Sequence, residues 1–290
     1  MKCGTRQGGV CSPALFAVFV NDILILLDKS RLGCYIDQYC LNSFMFADDL
    51  VLLTISISDL NDIIAICKEE LDCLDMRVNV SKSSCIRVGP RFARNTCHIS
   101  MGNDHIRITK EIKYLGIFIV SGKRFACNLH ACKIKFFRAL NAILGKIGDM
   151  TALNLILSLT STNCTPILMY GLEAMYLTAT QRNRLLYAYN SVFCKLFRSF
   201  NSDIITHTQF YSGYLNMYSF LDLRTLSFLH DLRQYDYACP ASHLFYICGS
   251  TEWTTLSRTY GIIAGDSIAR CRARVWAAFG IAISAQSLAV

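Results

Sequence analysis

Charge is scarce in this sequence. Acidic and basic residues make up 17% of its 290 residues, while 53% are hydrophobic, and mean hydropathy is +0.33. That balance excludes an intrinsically disordered chain, which needs the opposite composition. It raises a membrane as the alternative, yet no long run is apolar throughout. The uncharged stretch at 150–172 is broken by Thr151, Asn154, Ser158, Thr160, Asn163 and Pro166, and the one at 275–290 is short. A span needs about 20 consecutive apolar residues, so no transmembrane helix and no membrane partner are expected. Met1-Lys2-Cys3-Gly4 lacks the form of a signal peptide, and the expected location is intracellular, nucleus or cytoplasm. Low-complexity tracts and internal repeats are absent. So are CxxC pairs and zinc-finger spacings, although there are 15 cysteines. The nearest ligand cluster is Cys127, His130 and Cys132, and if one helix carries all three, Cys127 falls off the line of the other two. No zinc is expected, and the cysteines read as reduced, mostly buried thiols.

What charge there is, is unevenly placed. Residues 1–120 hold 13 Lys/Arg and 13 Asp/Glu, and residues 121–290 hold 16 and 8, so the whole excess of +8 lies in the second part. A basic region suggests a polyanionic partner. The hydrophobic period changes near the same point. Ser12-Pro13 predicts a helix start, with Ser12 as N-cap and Pro13 first in the helix, and Leu15, Phe16, Phe19, Ile23 and Leu26 keep helical spacing. Arg31-Leu32-Gly33 ends it. Two strand-like runs, 44–47 and 50–53, then flank Asp48-Asp49. Ser58 is placed to cap a second helix with a stripe of Leu60, Ile63, Ile64, Cys67, Leu71 and Leu74. Short strands follow near 84–88, 105–108 and 114–120. From 123 onward Phe125, Leu129, Cys132, Phe136, Leu140, Ile143 and Ile147 share one helical arc of about 80°. Arg124, Lys135, Arg138 and Lys146 form a separate basic stripe on that predicted helix.

Two adjacent aspartates between apolar strands are the strongest local clue to chemistry. Their charges repel, and carboxylates beside Phe46 and Leu50 are expected to lose hydration, a cost that a bound cation would offset. A tight hairpin would place both at its tip, where a hard cation could bind carboxylate oxygen. Taken alone, the pair also fits an ordinary polar turn.

The surrounding motifs carry a resemblance. Gly4-Thr5-Arg6-Gln7-Gly8-Gly9-Val10-Cys11-Ser12-Pro13-Ala14-Leu15-Phe16 follows a Gly-x-x-Gln-Gly-x-x-x-Ser-Pro-x-Leu-Phe pattern. Phe46-Ala47-Asp48-Asp49, then Asn79 with Lys82-Ser83, then Tyr114-Leu115-Gly116 follow in order. This sequence of blocks resembles reverse transcriptases, and Pro166-Ile167-Leu168-Met169-Tyr170-Gly171-Leu172-Glu173 is similar to a segment that follows the polymerase core in the non-LTR retrotransposon type. The resemblance implies an α+β fold: residues 1–120 as a partial right-hand polymerase palm, an antiparallel sheet with packed helices, and 121–200 as a mainly helical thumb. Residues 201–290 read as a further helical region of unassigned role.

The resemblance also implies an RNA-directed DNA polymerase that works by two-metal phosphoryl transfer. Asp48 and Asp49 would hold Mg²⁺ or Mn²⁺. Arg6, Gln7 and Gly8 would line the deoxynucleotide pocket, with glycine allowing close backbone approach. Lys82 would stabilise or protonate the leaving pyrophosphate, and Tyr114, Leu115 and Gly116 would grip the primer. Arg124, Lys135, Arg138 and Lys146 would track phosphates. The partners implied are an RNA template, a DNA primer and deoxynucleoside triphosphates. Such chemistry uses two metals about 4 Å apart, and the resemblance implies ligands from two strands, the other bearing an aspartate and lying before the Gln-Gly block, which here starts three residues from Met1. The expectation is therefore a truncated enzyme, inactive alone. The competing readings are a non-catalytic nucleic-acid-binding remnant and a helical membrane or scaffold protein.

Overall fold

Proline is tolerated in the first turn of a helix and not inside one, and Pro13 sits in the first turn of the first helix. A computed structural model describes residues 9–93, 98–147, 152–235 and 240–288, with the side chains of 240, 241 and 286–288 left aside. Its contacts divide the chain into two compact units, Met1–Asn128 and Leu129–Val290. Helices combine with small, mostly antiparallel sheets, so the fold is α+β.

In the first unit the order is α1 (Ser12–Ser30), β1 (Cys34–Ile36), β2 (Tyr39–Leu41), β3 (Ser43–Phe46), β4 (Asp49–Leu52) and α2 (Ile57–Cys73). Then come β5 (Ser84–Cys85), β6 (Ser100–Met101), β7 (Asp104–His105), β8 (Arg107–Ile108), β9 (Glu111–Tyr114), β10 (Ile117–Val120) and β11 (Ala126–Cys127). Both predicted caps move. Cys11, not Ser12, is the α1 N-cap, with no side-chain bond, and Ser56, not Ser58, caps α2 by accepting from the Asp59 amide at 3.0 Å. Arg31, in the left-handed region, ends α1 at the expected place.

The α2 stripe packs as its spacing predicts, whereas the α1 face is rotated. Val20, Ile23 and Leu27 are buried with Ile63 and Cys67, while Leu15 and Phe19 are exposed. The α1 sequence is apolar nearly all round, so periodicity alone does not choose its inward face. Met45, Leu50 and Leu52 join this core, so α1 and α2 cover one side of the β3–β4 hairpin.

One buried amide fixes the foot of that hairpin. The Asn42 side chain donates to the Leu27 carbonyl at 2.5 Å, and the Leu53 amide donates to the Asn42 carbonyl at 2.7 Å. Gly33 leaves room for this arrangement: a Cβ there would lie 2.7 Å from Asn42 Cβ and 2.9 Å from the Leu41 carbonyl oxygen. Gly33→Ala is expected to cost about 1–3 kcal/mol through overpacking against atoms that cannot swing away. A urea unfolding midpoint equal to that of the parent would rule this account out.

The second unit runs α3 (His130–Lys146), α4 (Leu153–Asn163), α5 (Thr165–Met169), a 3-10 turn (Leu172–Ala174), α6 (Ala179–Phe197), α7 (Ser202–Tyr211) and α8 (Met217–Gln234). It closes with α9 (Pro240–Leu244), a π-helical turn (Phe245–Gly249), α10 (Ser250–Tyr260) and α11 (Ile268–Leu288). Phe136, Leu140, Leu168, Met169, Leu185 and Met217 are fully buried in one core. A second core gathers Leu226, Cys271, Val275 and Phe279.

The first of these cores includes Ile205 and Met217, so packing runs continuously across residue 200 and does not set 201–290 apart. The other expected boundary, at 120, also moves. Strand β11 pairs with β10 and keeps 121–128 in the first unit.

The uncharged run around α4 and α5 is long and apolar enough to cross a membrane by length and composition. It is interrupted at Cys164 by Thr165-Pro166, and Leu157, Cys164, Leu168 and Met169 lie in the core. The motif at 166–173 thus forms a connector that buries Leu168, Met169 and Leu172 and leaves Tyr170 exposed. Gly171 takes the left-handed turn at φ 71°, and the Glu173 carboxylate accepts two bonds from Arg224 of α8, at 2.8 and 3.2 Å.

The cysteines are less buried than expected. Among those described, Cys67, Cys164 and Cys271 are buried, while Cys11, Cys73 and Cys248 are exposed. Burial pushes the Cys67 thiol up to about 11.

Candidate active site

Phe46 pairs with Asp49 across the β3–β4 hairpin, so Ala47 and Asp48 form its two-residue turn. Ala47, the first turn residue, has φ 52°. Tight hairpin turns need a left-handed residue there to match strand twist, and in alanine this costs roughly 1 kcal/mol that glycine would avoid. Side chains alternate across the strands. Met45 and Leu50 therefore face the helices, while Phe44, Phe46 and Asp49 face away. Asp48 and Asp49 are both exposed. The expected loss of hydration does not occur, because the flanking apolar side chains point to the other side or are themselves exposed.

A second hairpin carries Tyr114, Leu115 and Gly116. Tyr114 pairs with Ile117, leaving Leu115 and Gly116 as the turn, with φ of 45° and 85°. Two consecutive positive φ values define a type I′ turn, for which glycine is favoured. Leucine there is strained. The Tyr114 phenol is held above its ordinary range, first by burial and then by the Asp49 carboxylate. The Asp49 charge therefore acts on Tyr114, 65 positions later in the sequence.

Lys82 lies exposed in the turn that follows α2. The Asn79 side-chain oxygen organises that turn, accepting from the Lys82 amide at 3.2 Å and from the Ser81 hydroxyl at 2.6 Å. Among the described residues Lys82 forms no ion pair with either aspartate. Arg6, Gln7 and Gly8 lie outside the described residues.

The basic stripe does not survive as one helical face. Arg124 sits exposed in the bend before β11, in the first unit, whereas Lys135, Arg138 and Lys146 project from α3 in the second. Phe125, 65% exposed, leaves the apolar stripe for the same reason. The helix begins only at His130, because 126–127 pair as a strand. Cys127 is therefore on β11 and not on a helix with His130 and Cys132.

Adjacent carboxylates at an exposed tip are hard oxygen donors. They suit Mg²⁺ or Mn²⁺, which takes one or two carboxylates and keeps several waters. No group of three or more His, Cys, Asp or Glu converges among the described residues. Sequence reading missed Asn42, and took Gly33 only as part of a helix end and not as the space that Asn42 needs. The only available signals were a glycine after a helix end and an amide before an apolar run, which are common in loops. Residues 1–119 match the family model described as reverse transcriptase (RNA-dependent DNA polymerase). No curated protein matches the chain. The matched family acts on a nucleic-acid template with nucleotide substrates.

Proposed function

We propose that the first unit is palm-like machinery of an RNA-directed DNA polymerase of the non-LTR retrotransposon type, in which Asp48 and Asp49 hold the divalent metal. The carrying observation is the pair of exposed carboxylates, Asp48 and Asp49, held at the tip of the β3–β4 hairpin. Bound there, Mg²⁺ or Mn²⁺ would supply Lewis acidity to the phosphoryl group under attack. The chain's own residues present and orient. Asn42 and Leu53 hold the foot of the hairpin, the strained Ala47 turn aims the carboxylates, and the Tyr114 hairpin borders the primer end. Lys82 meets the leaving pyrophosphate, and Arg6, Gln7 and Gly8 line the nucleotide pocket. The helical second unit acts as the thumb and, through Lys135, Arg138 and Lys146, holds the duplex of RNA template and DNA primer.

Among the described residues no third His, Cys, Asp or Glu joins Asp48 and Asp49, and a two-metal centre draws on more ligands than two carboxylates. The expected result for this chain alone is no processive synthesis on a primed RNA template with Mg²⁺ or Mn²⁺. Strong extension that Asp48→Ala abolishes would refute that statement.

Metal binding is tested separately. Titrating Mn²⁺ into isotopically labelled full chain should broaden the amide resonances of residues 46–50 and of Tyr114, and the Asp48→Asn/Asp49→Asn variant should lose the effect. Equal broadening in both proteins, or none in the parent, would remove the proposed metal site.

A further inference from the structure

The second unit carries an open cleft of about 410 Å³ between α3 and α6, lined by Lys133, Phe137, Thr180, Asn183, Arg184 and Tyr187. Its volume is in the range of small-molecule sites. The lining follows from helical spacing. Thr180, Asn183, Arg184 and Tyr187 fall at i, i+3, i+4 and i+7 on α6, and Lys133 and Phe137 at i and i+4 on α3. Lys133 lies about 160° around α3 from Lys135, at about 100° per residue. The cleft is therefore separate from the α3 cation stripe.

Its chemistry is specific. The two cations face no carboxylate in the lining, and among the described residues neither forms an ion pair. Tyr187 is 75% exposed, so a large flat ring is offered to solvent beside two positive charges. Asn183 accepts from the Tyr218 hydroxyl at 3.3 Å through its carbonyl oxygen, which leaves its NH₂ donors for an incoming acceptor. Half-buried Phe137 forms an apolar floor.

We propose that this cleft binds one nucleotide of single-stranded nucleic acid, its base stacked on Tyr187 and its flanking phosphates held by Lys133 and Arg184. An aromatic platform beside cations is the usual means of gripping single strands, since every base has a π-face. A paired base is stacked within its own duplex and cannot use the ring, so the occupant is an unpaired segment. The proposal does not depend on the metal chemistry at Asp48 and Asp49.

The test is binding of a fluorescent 12-nucleotide oligo-U to the full chain across a salt series, in EDTA so that divalent ions play no part. Tyr187→Ala should weaken binding roughly ten-fold, while Tyr187→Phe, which keeps the ring, should bind like the parent. Lys133→Gln with Arg184→Gln should reduce the log–log salt slope by about 1.4, at about 0.7 counterions per single-strand phosphate. All three positions border an open cleft, and circular dichroism verifies that the variants fold. Unchanged binding by Tyr187→Ala would overturn the proposal. So would an equal loss in Tyr187→Phe, an unaltered salt slope, or competition by inorganic phosphate, UMP, poly-glutamate or duplex RNA as effective as that by oligo-U.

Discussion

Neutralising Lys135, Arg138 and Lys146 together, each to Gln, is expected to weaken metal-free binding to a primer–template duplex on the order of 10³-fold at 50 mM salt. The same change should lower the log–log salt slope by about 2.7, from about 0.9 counterions per lost phosphate contact. The three side chains are exposed on α3 and lie within about 80° of arc at about 100° per residue, a geometry that can follow one strand of phosphates. Arg124→Gln belongs to the other unit and should act independently of the other three. Asp48→Ala and Asp49→Ala should leave metal-free binding unchanged or slightly stronger, since they remove negative charge near the primer end. Filter binding over a salt series reads all of these. A folded triple variant with the parent's slope would reduce the stripe to a solvated surface.

The largest stability effect is expected from Phe136→Ala, at about 3–5 kcal/mol. Phe136 is fully buried and meets the edge of Phe137 with ring centroids 5.3 Å apart. Its removal leaves a cavity among Leu140, Leu168 and Leu185 that helices cannot collapse to fill. For a unit of this size, each kcal/mol lowers Tm by about 2–4 °C. Phe125→Ala, at an exposed ring, should stay within about 0.5 kcal/mol. The pair is diagnostic because helical periodicity groups the two phenylalanines on one stripe. Differential scanning calorimetry that finds equal losses would contradict the strand at 126–127.

That contrast shows where sequence was informative. The Asp48–Asp49 turn could be read because short apolar runs and an acidic pair fit one local structure, a hairpin. The Leu115–Gly116 turn was not read, since the apolar run at 114–120 fits one strand, which the structure divides between β9 and β10. The α2 stripe was legible because its other face is polar. The inward face of α1 was not, since it is apolar nearly all round and the choice depends on what packs against it. The start of α3 was hidden because Ala126 and Cys127 are recruited into a sheet by β10, a contact that no local pattern announces. The influence of the Asp49 charge on Tyr114 depends on tertiary structure in the same way. So does the pairing of Glu173 with Arg224, 51 positions later.

The foot of the acidic hairpin also bears on how freely this sequence can drift. Leu15, Val18 and Ile25 on the outer side of α1 are exposed, so exchanges there leave the carboxylates where they are. Gly33, Asn42 and Ala47 have no such latitude. One leaves no space for a side chain, one holds a buried carbonyl, and one adopts a backbone that few residues share. In a lineage released from selection for synthesis, these three small positions should record the release earlier than the larger apolar core, whose packing tolerates volume-conserving exchanges.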